Sequence, residues 1–204
     1  MFKFIRRLLF LSILVCLGLY LYRIHENVEQ VMEYKPYVQK SLDEHGVEGN
    51  NDTELALAII YTETKGHVSD DVMQSSESVH GQTGMITDEA ESIKQGIITL
   101  SERLEEANKA GVDVWTGVQS YNYGSAYIDY IAEHGRKNTL ELSQSYSRDV
   151  LSKSLGNTTG ATYRHITPTA LIFNGGKLYV NGGNIFYARE VRFNMYLIRV
   201  MNWI

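Results

Sequence analysis

Cysteine and proline are scarce in this sequence, and each scarcity excludes a class of protein. One cysteine among 204 residues excludes an intramolecular disulfide framework and any cysteine-based zinc cluster. Two prolines exclude a proline-rich repeat or stalk. Hydrophobic residues make up 44% of the chain and charged residues only 21%, so a core can be buried and the composition argues against wholesale disorder. The length suits one domain with a short appendage.

Basic residues are also scarce beyond the first 24 positions. Those positions hold four of the 19 basic residues, Lys3, Arg6, Arg7 and Arg23, and no acidic residue. The rest of the chain therefore carries 15 basic against 24 acidic side chains, a formal charge of −9. Phosphate binding depends on neutralisation by Lys and Arg. We therefore expect no nucleic-acid partner for this acidic body.

An uncharged run, LLFLSILVCLGLYLY, lies between Arg7 and Arg23. Its 15 residues fall between a signal-peptide core and the roughly 20 apolar residues of a full bilayer span. Bulky residues follow the run where a signal peptidase prefers small ones, and Tyr20 and Tyr22 suit the membrane interface. The preceding cations predict a cytoplasmic N-terminus. Residues 1–24 are therefore predicted to be an N-terminal membrane anchor or uncleaved signal, with the remainder outside the cytoplasm.

Helical patterns dominate the exported part. Residues 25–50 are predicted to form a lead-in helix, roughly 28–42, and a linker. Asn51 and Glu54 resemble a capping box and Gly66 resembles a helix stop, so a helix is predicted between them. Its segment LALAIIY is apolar on most faces, which predicts a central, buried helix.

The second half of the chain continues in the same way. Asp88 and an apolar stripe at steps of three and four predict a long helix that ends near Gly111. Three further helices are predicted at 115–124, 127–134 and 140–154. Residues 170–180, ALIFNGGKLYV, have the pattern of a β-hairpin, and Asn184 predicts the cap of a closing helix. About six helices with little strand predict a mainly helical α+β domain with one core.

Two common kinds of catalytic site find no support. The six histidines show no metal-ligand spacing, so neither a metal nor another cofactor is expected. Ser75, Ser76 and Ser78 lie near His80, but no Gly-x-Ser-x-Gly elbow surrounds them. These serines are better explained as loop residues that form turn hydrogen bonds.

Glu63 is the better candidate for catalysis. It lies in the last turn of the apolar helix, four residues after Ile59 and three after Ile60. Desolvation and the unsatisfied carbonyl groups of the helix end both raise the pKa of a carboxyl group. A carboxylic acid that stays protonated near neutral pH is what a glycosidase needs to protonate the leaving oxygen. A helix-end glutamate that points to water explains the same residues equally well.

A polar and aromatic cluster follows in QSYNYG, where Gln119, Tyr121, Asn122 and Tyr123 meet at a helix break. The chain has 14 tyrosines, whose flat rings both stack and hydrogen-bond, as a sugar-binding cleft requires. Core packing is the alternative explanation for most of them.

Together these motifs resemble a known family. They occur in the order ETKG (63–66), DVMQSSES (71–78), QSYNYG (119–124) and FYAREV (186–191). The sequence resembles the lysozyme-like muralytic domain of Gram-positive cell-wall proteins, as in the N-terminal part of bifunctional muramidase/endopeptidases, a family related to soluble lytic transglycosylases and goose-type lysozymes. The resemblance covers roughly residues 30–200. It implies a mainly α, lysozyme-like domain with a small hairpin over 51–204, which binds peptidoglycan glycan strands.

The resemblance also implies roles for residues of the first two motifs. Glu63 matches the catalytic acid. Gln74 matches the residue that lines the sugar subsites, and Ser75 and Ser76 fall where the family places cleft hydroxyl groups. Glu77 lies inside the same motif and is the first candidate for a second carboxylate, although a structural carboxylate that bonds loop amides is an equal alternative.

Further roles follow from the later motifs. Asn122 matches the asparagine that holds the catalytic glutamate and a substrate amide, and Tyr121 beside it is a predicted substrate-binding residue. Tyr187 matches the late tyrosine that hydrogen-bonds near that glutamate, with Tyr179 as a weaker candidate. Ser120 stands where many relatives have alanine.

The resemblance implies cleavage of the β-1,4 bond between N-acetylmuramic acid and N-acetylglucosamine. A lytic transglycosylase with one catalytic glutamate is the favoured reaction, and a hydrolytic muramidase with a second carboxylate is the alternative. A non-catalytic peptidoglycan-binding scaffold, and an anchored adhesin or conjugation component, stay open as other hypotheses.

Overall fold

The computed structural model describes residues 2–46, 52–67, 69–75 and 88–202. The α-helices of these residues are α1 Phe2–Glu33, α2 Lys35–His45, α3 Thr53–Thr64, α4 Glu89–Lys109, α5 Val114–Tyr123, α6 Ala126–Glu133, α7 Leu140–Tyr146, α8 Ser152–Ser154, α9 Pro168–Asn174 and α10 Tyr187–Met201. A π-helical turn, Ser147–Leu151, joins α7 to α8, so the single helix predicted over 140–154 is interrupted. Two strands, β1 Thr162–Arg164 and β2 Lys177–Tyr179, complete the fold. The mainly helical, α+β prediction is confirmed.

The first helix extends from the apolar run into the folded domain. Among the described residues, α1 is the one helix long and apolar enough to cross a membrane. Its last turns are different, because Val28 and Val31 are buried in the main core. The helix predicted over 28–42 is in fact two helices that meet at Tyr34. Pro36 lies in the first turn of α2, and a proline there cannot continue a preceding helix because its ring clashes with that helix.

Helix α3 is the centre of the core. Its residues from Leu55 to Tyr61 are all buried, as the apolar segment predicts. The cap is Asp52, whose side chain accepts hydrogen bonds from two backbone N–H groups of the first turn, whereas the predicted cap Asn51 lies outside the described residues. The helix ends at Lys65 and Gly66, both with positive φ. At Gly66 the chain touches α1 so closely that a Cβ would lie 2.8 Å from the Val31 backbone nitrogen.

Two long helices flank α3. Helix α4 begins at the predicted cap Asp88, whose side chain accepts from two backbone N–H groups, and it packs against α5 and α2. Helix α10 packs along α3 and starts at Tyr187. The predicted cap Asn184 lies before it and accepts a hydrogen bond from the Phe186 backbone nitrogen.

The β-hairpin predicted over residues 170–180 is wrong in its first strand. A small antiparallel sheet is present, but β2 pairs with β1, and the segment Pro168–Asn174 is helix α9. Thr167 caps α9 through its side chain, and Gly175 ends it in the left-handed conformation. Capping at both ends and burial of Ala170 therefore outweigh the strand propensity of LIF.

Candidate active site

Glu63 lies in the last turn of α3 and meets α10 across the core. The Tyr187 hydroxyl group donates a hydrogen bond of 2.6 Å to Glu63 Oε1. This contact joins residues 124 positions apart in the sequence, because the start of α10 packs beside the end of α3. The carboxyl group is therefore held in one orientation by a buried donor.

Burial raises the pKa of the Glu63 carboxyl group from 4.5 to about 7. The hydrogen bond from Tyr187 acts in the opposite direction, since it favours the ionised form, and the negative charge of Asp71 raises the pKa further. The side chain is only partly exposed, so loss of hydration is the larger effect. Near neutral pH this group exists in both protonation states, as a group that first donates and then accepts a proton must.

Tyr187 and Tyr121 form a stacked pair beside this carboxyl group, with ring centroids 6.2 Å apart and planes within 7°. The Tyr121 hydroxyl group donates to the Met73 carbonyl oxygen at 2.9 Å. Burial raises the pKa of both phenols well above 10. Both therefore remain protonated donors at any physiological pH.

The turn over residues 71–75 is tied together by Asp71. Its Oδ1 atom accepts hydrogen bonds from the Ser75 backbone nitrogen at 2.8 Å and from the Ser92 hydroxyl group at 2.7 Å. The Ser75 side chain is fully buried, and its hydroxyl group bonds Asp71 and the Ser92 carbonyl oxygen. In this turn Ser75 therefore serves internal hydrogen bonds.

Gln74 has an unusual backbone in the same turn. Its φ of 51° lies in the left-handed region, which residues other than glycine, asparagine and aspartate rarely adopt. The side chain is exposed, and its amide donates to the Asp71 carbonyl oxygen at 2.9 Å. Strained residues that are held in place by their surroundings concentrate at functional sites.

The end of α5 holds the segment that precedes α10. The buried Gln119 amide donates to the Asn184 carbonyl oxygen at 2.9 Å and accepts from the Ala188 backbone nitrogen at 3.1 Å. The exposed Asn122 accepts from the Asn184 backbone nitrogen at 2.8 Å. Gly183 makes this approach possible, because a Cβ there would lie 2.8 Å from Asn122 Oδ1. Together these bonds fix the position from which Tyr187 reaches Glu63.

The structure thus brings several predicted residues together. Glu63, Tyr187 and Tyr121 are in contact or stacked, and Gln74 follows the Met73 carbonyl group that Tyr121 binds. Asn122 follows Tyr121 near the end of α5. Its side-chain oxygen accepts the hydrogen bond from the Asn184 backbone nitrogen.

Other predicted residues lie elsewhere. Tyr179 belongs to strand β2, whereas the hydrogen bond to Glu63 comes from Tyr187. Ser76 and Glu77 lie outside the described residues. Sequence reasoning did not identify the bridging roles of Gln119 and Ser92. The available signal was the position of Gln119 inside the QSYNYG motif, whereas nothing in the sequence distinguished Ser92.

A polar cavity of about 500 Å³ lies on another face of α10. Its walls include Trp115, Asn138, Glu141, Arg189 and Arg192, and they do not include Glu63. The Glu63 side is the stronger candidate for the active site, because there a carboxyl group with a raised pKa and a fixed hydrogen-bond donor coincide.

Several known proteins are similar to this chain over much of its length. A protein named Pneumococcal vaccine antigen A, from Streptococcus pneumoniae, is 53% identical over 98% of this chain and 96% of its own length. The uncharacterized membrane protein YocA of Bacillus subtilis is 41% identical over 62% of this chain and 55% of its own length. The bifunctional muramidase/DL-endopeptidase CwlT of the same species is 34% identical over 58% of this chain, which corresponds to 34% of CwlT.

A solved structure and a family assignment complete the comparison. A crystal structure from Staphylococcus aureus, described as similar to a lipoprotein of the NLP/P60 family, superposes with a TM-score of 0.72 and 35% identity. It covers 82% of this chain and 52% of that protein. Residues 28–195, most of the chain, match the family described as lysozyme-like. With this fold, and with a partly buried glutamate at the end of its central helix, the chain belongs to the lysozyme-like family.

Proposed function

We propose that this protein is a membrane-anchored enzyme that cleaves peptidoglycan glycan strands. The bond cleaved is the β-1,4 linkage between N-acetylmuramic acid and N-acetylglucosamine, in a reaction of the lytic transglycosylase type with Glu63 as the single catalytic carboxyl group. The observation that carries the proposal is the partly buried carboxyl group of Glu63, with a pKa raised to about 7 and a hydrogen bond from Tyr187.

Glu63 supplies the proton in the first step. Its protonated carboxyl group donates to the glycosidic oxygen, and the bond to the anomeric carbon breaks as positive charge develops on the sugar ring. The N-acetyl carbonyl oxygen of the substrate stabilises that charge. Tyr187 holds Oε1, so the other carboxyl oxygen is the one that presents the proton.

Glu63 is then ionised and acts as a base. It accepts a proton from the 6-hydroxyl group of the same sugar, whose oxygen closes a 1,6-anhydro ring. A hydrolase instead activates a water molecule, for which inverting enzymes use a second carboxylate about 6.5–9.5 Å from the acid. Asp71 is a poor candidate, because its Oδ1 atom accepts two strong bonds that hold the 71–75 turn. This supports the single-carboxylate reaction, with a muramidase that uses Glu77 as the alternative.

The substrate-binding roles follow from exposure. Gln74 and Asn122 have exposed side chains and are sequence neighbours of Met73 and Tyr121, which bond each other, and we assign them to sugar and N-acetyl contacts. Tyr121 and Ser75 position the 71–75 turn through their hydrogen bonds. Ser76 is proposed to contribute a hydroxyl group to the same cleft.

The protein is proposed to act at the outer face of the cell membrane. Residues 1–24 serve as the anchor, 25–50 as the lead-in and 51–204 as the catalytic domain. The cations before the apolar run favour this orientation. YocA, a relative with membrane protein in its name, and CwlT, a named muramidase, support membrane anchoring and action on peptidoglycan.

Glu63→Gln tests the catalytic assignment. In a gel that contains purified cell walls, the wild-type chain should clear the wall and Glu63→Gln should not, because an amide cannot donate the proton. Glu133→Gln is the matched control, since Glu133 is an exposed carboxylate at the end of α6. Clearing that survives Glu63→Gln contradicts the assignment, and a wild-type chain that binds walls without clearing them favours the scaffold alternative.

Mass spectrometry of the released fragments decides the reaction type. Fragments that end in 1,6-anhydro sugars identify a transglycosylase. Reducing ends identify a hydrolytic muramidase and would direct attention to Glu77 as the second carboxylate.

A further inference from the structure

The membrane helix and the catalytic domain are joined without a hinge. Helix α1 continues unbroken from Phe2 to Glu33. Val28 and Val31, in its last two turns, are 2% and 0% exposed and belong to the same core as α3. The apolar run ends at Tyr22, so only five residues separate it from the first core residue. The domain therefore cannot move far from the bilayer that holds α1.

The contacts between α1 and α3 set the height of the site. The Tyr61 side chain lies near Asn27, and Gly66 lies against Val31. At 1.5 Å per residue, Asn27 and Val31 stand about 8 and 14 Å beyond the end of the apolar run. Glu63 lies between Tyr61 and Gly66 in the sequence, at a similar height. Each headgroup layer is only about 5–8 Å thick, so the site stands just above the headgroups.

The opposite end of the domain faces back toward the bilayer. The two contacts above show that α1 and α3 run in the same direction, and α10 is antiparallel to α3, since its Tyr187 bonds Glu63 and its Arg199 pairs with Glu54. The last turns of α10 therefore descend toward the membrane. They expose Tyr196 and Val200, each 56% exposed, with the Arg199 guanidinium over the Tyr196 ring. Aromatic, apolar and cationic side chains of this kind suit a membrane interface.

We infer that the substrate of this site is nascent glycan, a short strand still joined to its membrane lipid carrier, and that α1 acts as a rigid spacer that holds the cleft at that height. The inference rests on the proposed glycosidase function, which it narrows to one substrate population. Strands of the mature wall that lie further out are beyond the reach of a site held at this height.

Two insertions after Arg23 change the height of the site above the membrane and leave its catalytic residues unchanged. An 18-residue helical insertion raises the site by about 27 Å and, at 100° per residue, turns it through about five whole turns, so the same face is kept. An 18-residue Gly/Ser insertion at the same place allows the domain to return to the membrane. The full chains are reconstituted in liposomes and given either lipid-linked tetrasaccharides in the same bilayer or free glycan oligosaccharides in solution.

The wild-type chain should cleave both substrates. The helical insertion should lower the rate on the lipid-linked substrate by about tenfold or more, because a rigid spacer of the wrong length abolishes the effective concentration of that substrate at the site. The flexible insertion should recover most of the wild-type rate. Rates on free oligosaccharides should be the same for all three chains, which also shows that each is folded. Equal rates of the helical insertion and the wild type on the lipid-linked substrate overturn the inference, whereas absence of cleavage of either substrate by the wild type overturns the proposed function itself.

A distance measurement tests the geometry independently of activity. With Cys16→Ser as background, His67→Cys places a dye on the exposed residue just after α3, and energy transfer to a headgroup-labelled lipid reports its height. The expected height above the acyl boundary is about 15 Å from the helical rise. A height of several nanometres would refute the rigid-spacer inference even if the insertions failed to fold.

Discussion

Replacement of Glu63 by glutamine should stabilise the protein, and only above acidic pH. The folded protein raises the pKa of this carboxyl group from 4.5 to about 7. Below pH 4.5 the group is neutral in both folded and unfolded states, so burial costs nothing extra. Between pH 4.5 and 7 the unfolded chain releases the proton first, and stability falls as pH rises. The rise of about 2.5 pKa units therefore lowers the free energy of unfolding by about 3 kcal/mol, and this loss is complete above pH 7.

Glutamine has the shape of the protonated acid and still offers an oxygen to Tyr187, but it does not ionise. The free energy of unfolding of Glu63→Gln, minus that of the wild type, should therefore increase by about 3 kcal/mol between pH 4 and pH 8. Urea unfolding of the full chain in a mild detergent, followed by tryptophan fluorescence, measures this difference. Glu133→Gln, at an exposed helix end, is the control and should show no such trend. A difference for Glu63→Gln that stays flat over this pH range would refute the account of the site, because the carboxyl group would then be hydrated.

Three other substitutions test the support of the site. Tyr187→Phe removes the hydrogen bond that favours the ionised form of Glu63, so the pKa of Glu63 should rise further. The rate of glycan cleavage should fall, and the alkaline limb of its pH profile should move to higher pH. An unchanged limb argues against the Tyr187–Glu63 hydrogen bond. Gln119→Leu removes the partner of the buried Ala188 N–H group and of the partly buried Asn184 carbonyl group. It should therefore lower the free energy of unfolding in urea by about 2–4 kcal/mol, and a neutral result would mean that water replaces the amide. Gly96→Ala places a Cβ 2.6 Å from Met73 Sδ, so it should lower the free energy of unfolding by about 1–3 kcal/mol. It should also reduce activity, because Met73 belongs to the 71–75 turn. A melting temperature equal to that of the wild type would contradict this close packing.

Local patterns predicted the helices well where caps and periodicity agree. The apolar run, the buried segment of α3 and the Asp88 cap of α4 all depend on residues within one or two turns of each other. The same local reasoning failed at ALIFNGG, where strand propensity and a glycine turn suggested a hairpin. Thr167 and Gly175 cap the two ends of α9, and the burial of Ala170 in the core adds a tertiary contact that the local pattern does not contain.

The sequence by itself determined the apolar N-terminal helix, the helical class and the place of a glutamate at the end of an apolar helix, because each depends on the order of neighbouring residues. Only the tertiary structure decided that Tyr187 meets Glu63, that Gln119 holds the segment around Tyr187 and that the Glu63 carboxyl group is partly withdrawn from water. These contacts join residues 65 to 124 positions apart, and no local pattern encodes the packing that brings them together. The height of the site above the membrane has the same origin, since it depends on where α3 crosses the end of α1.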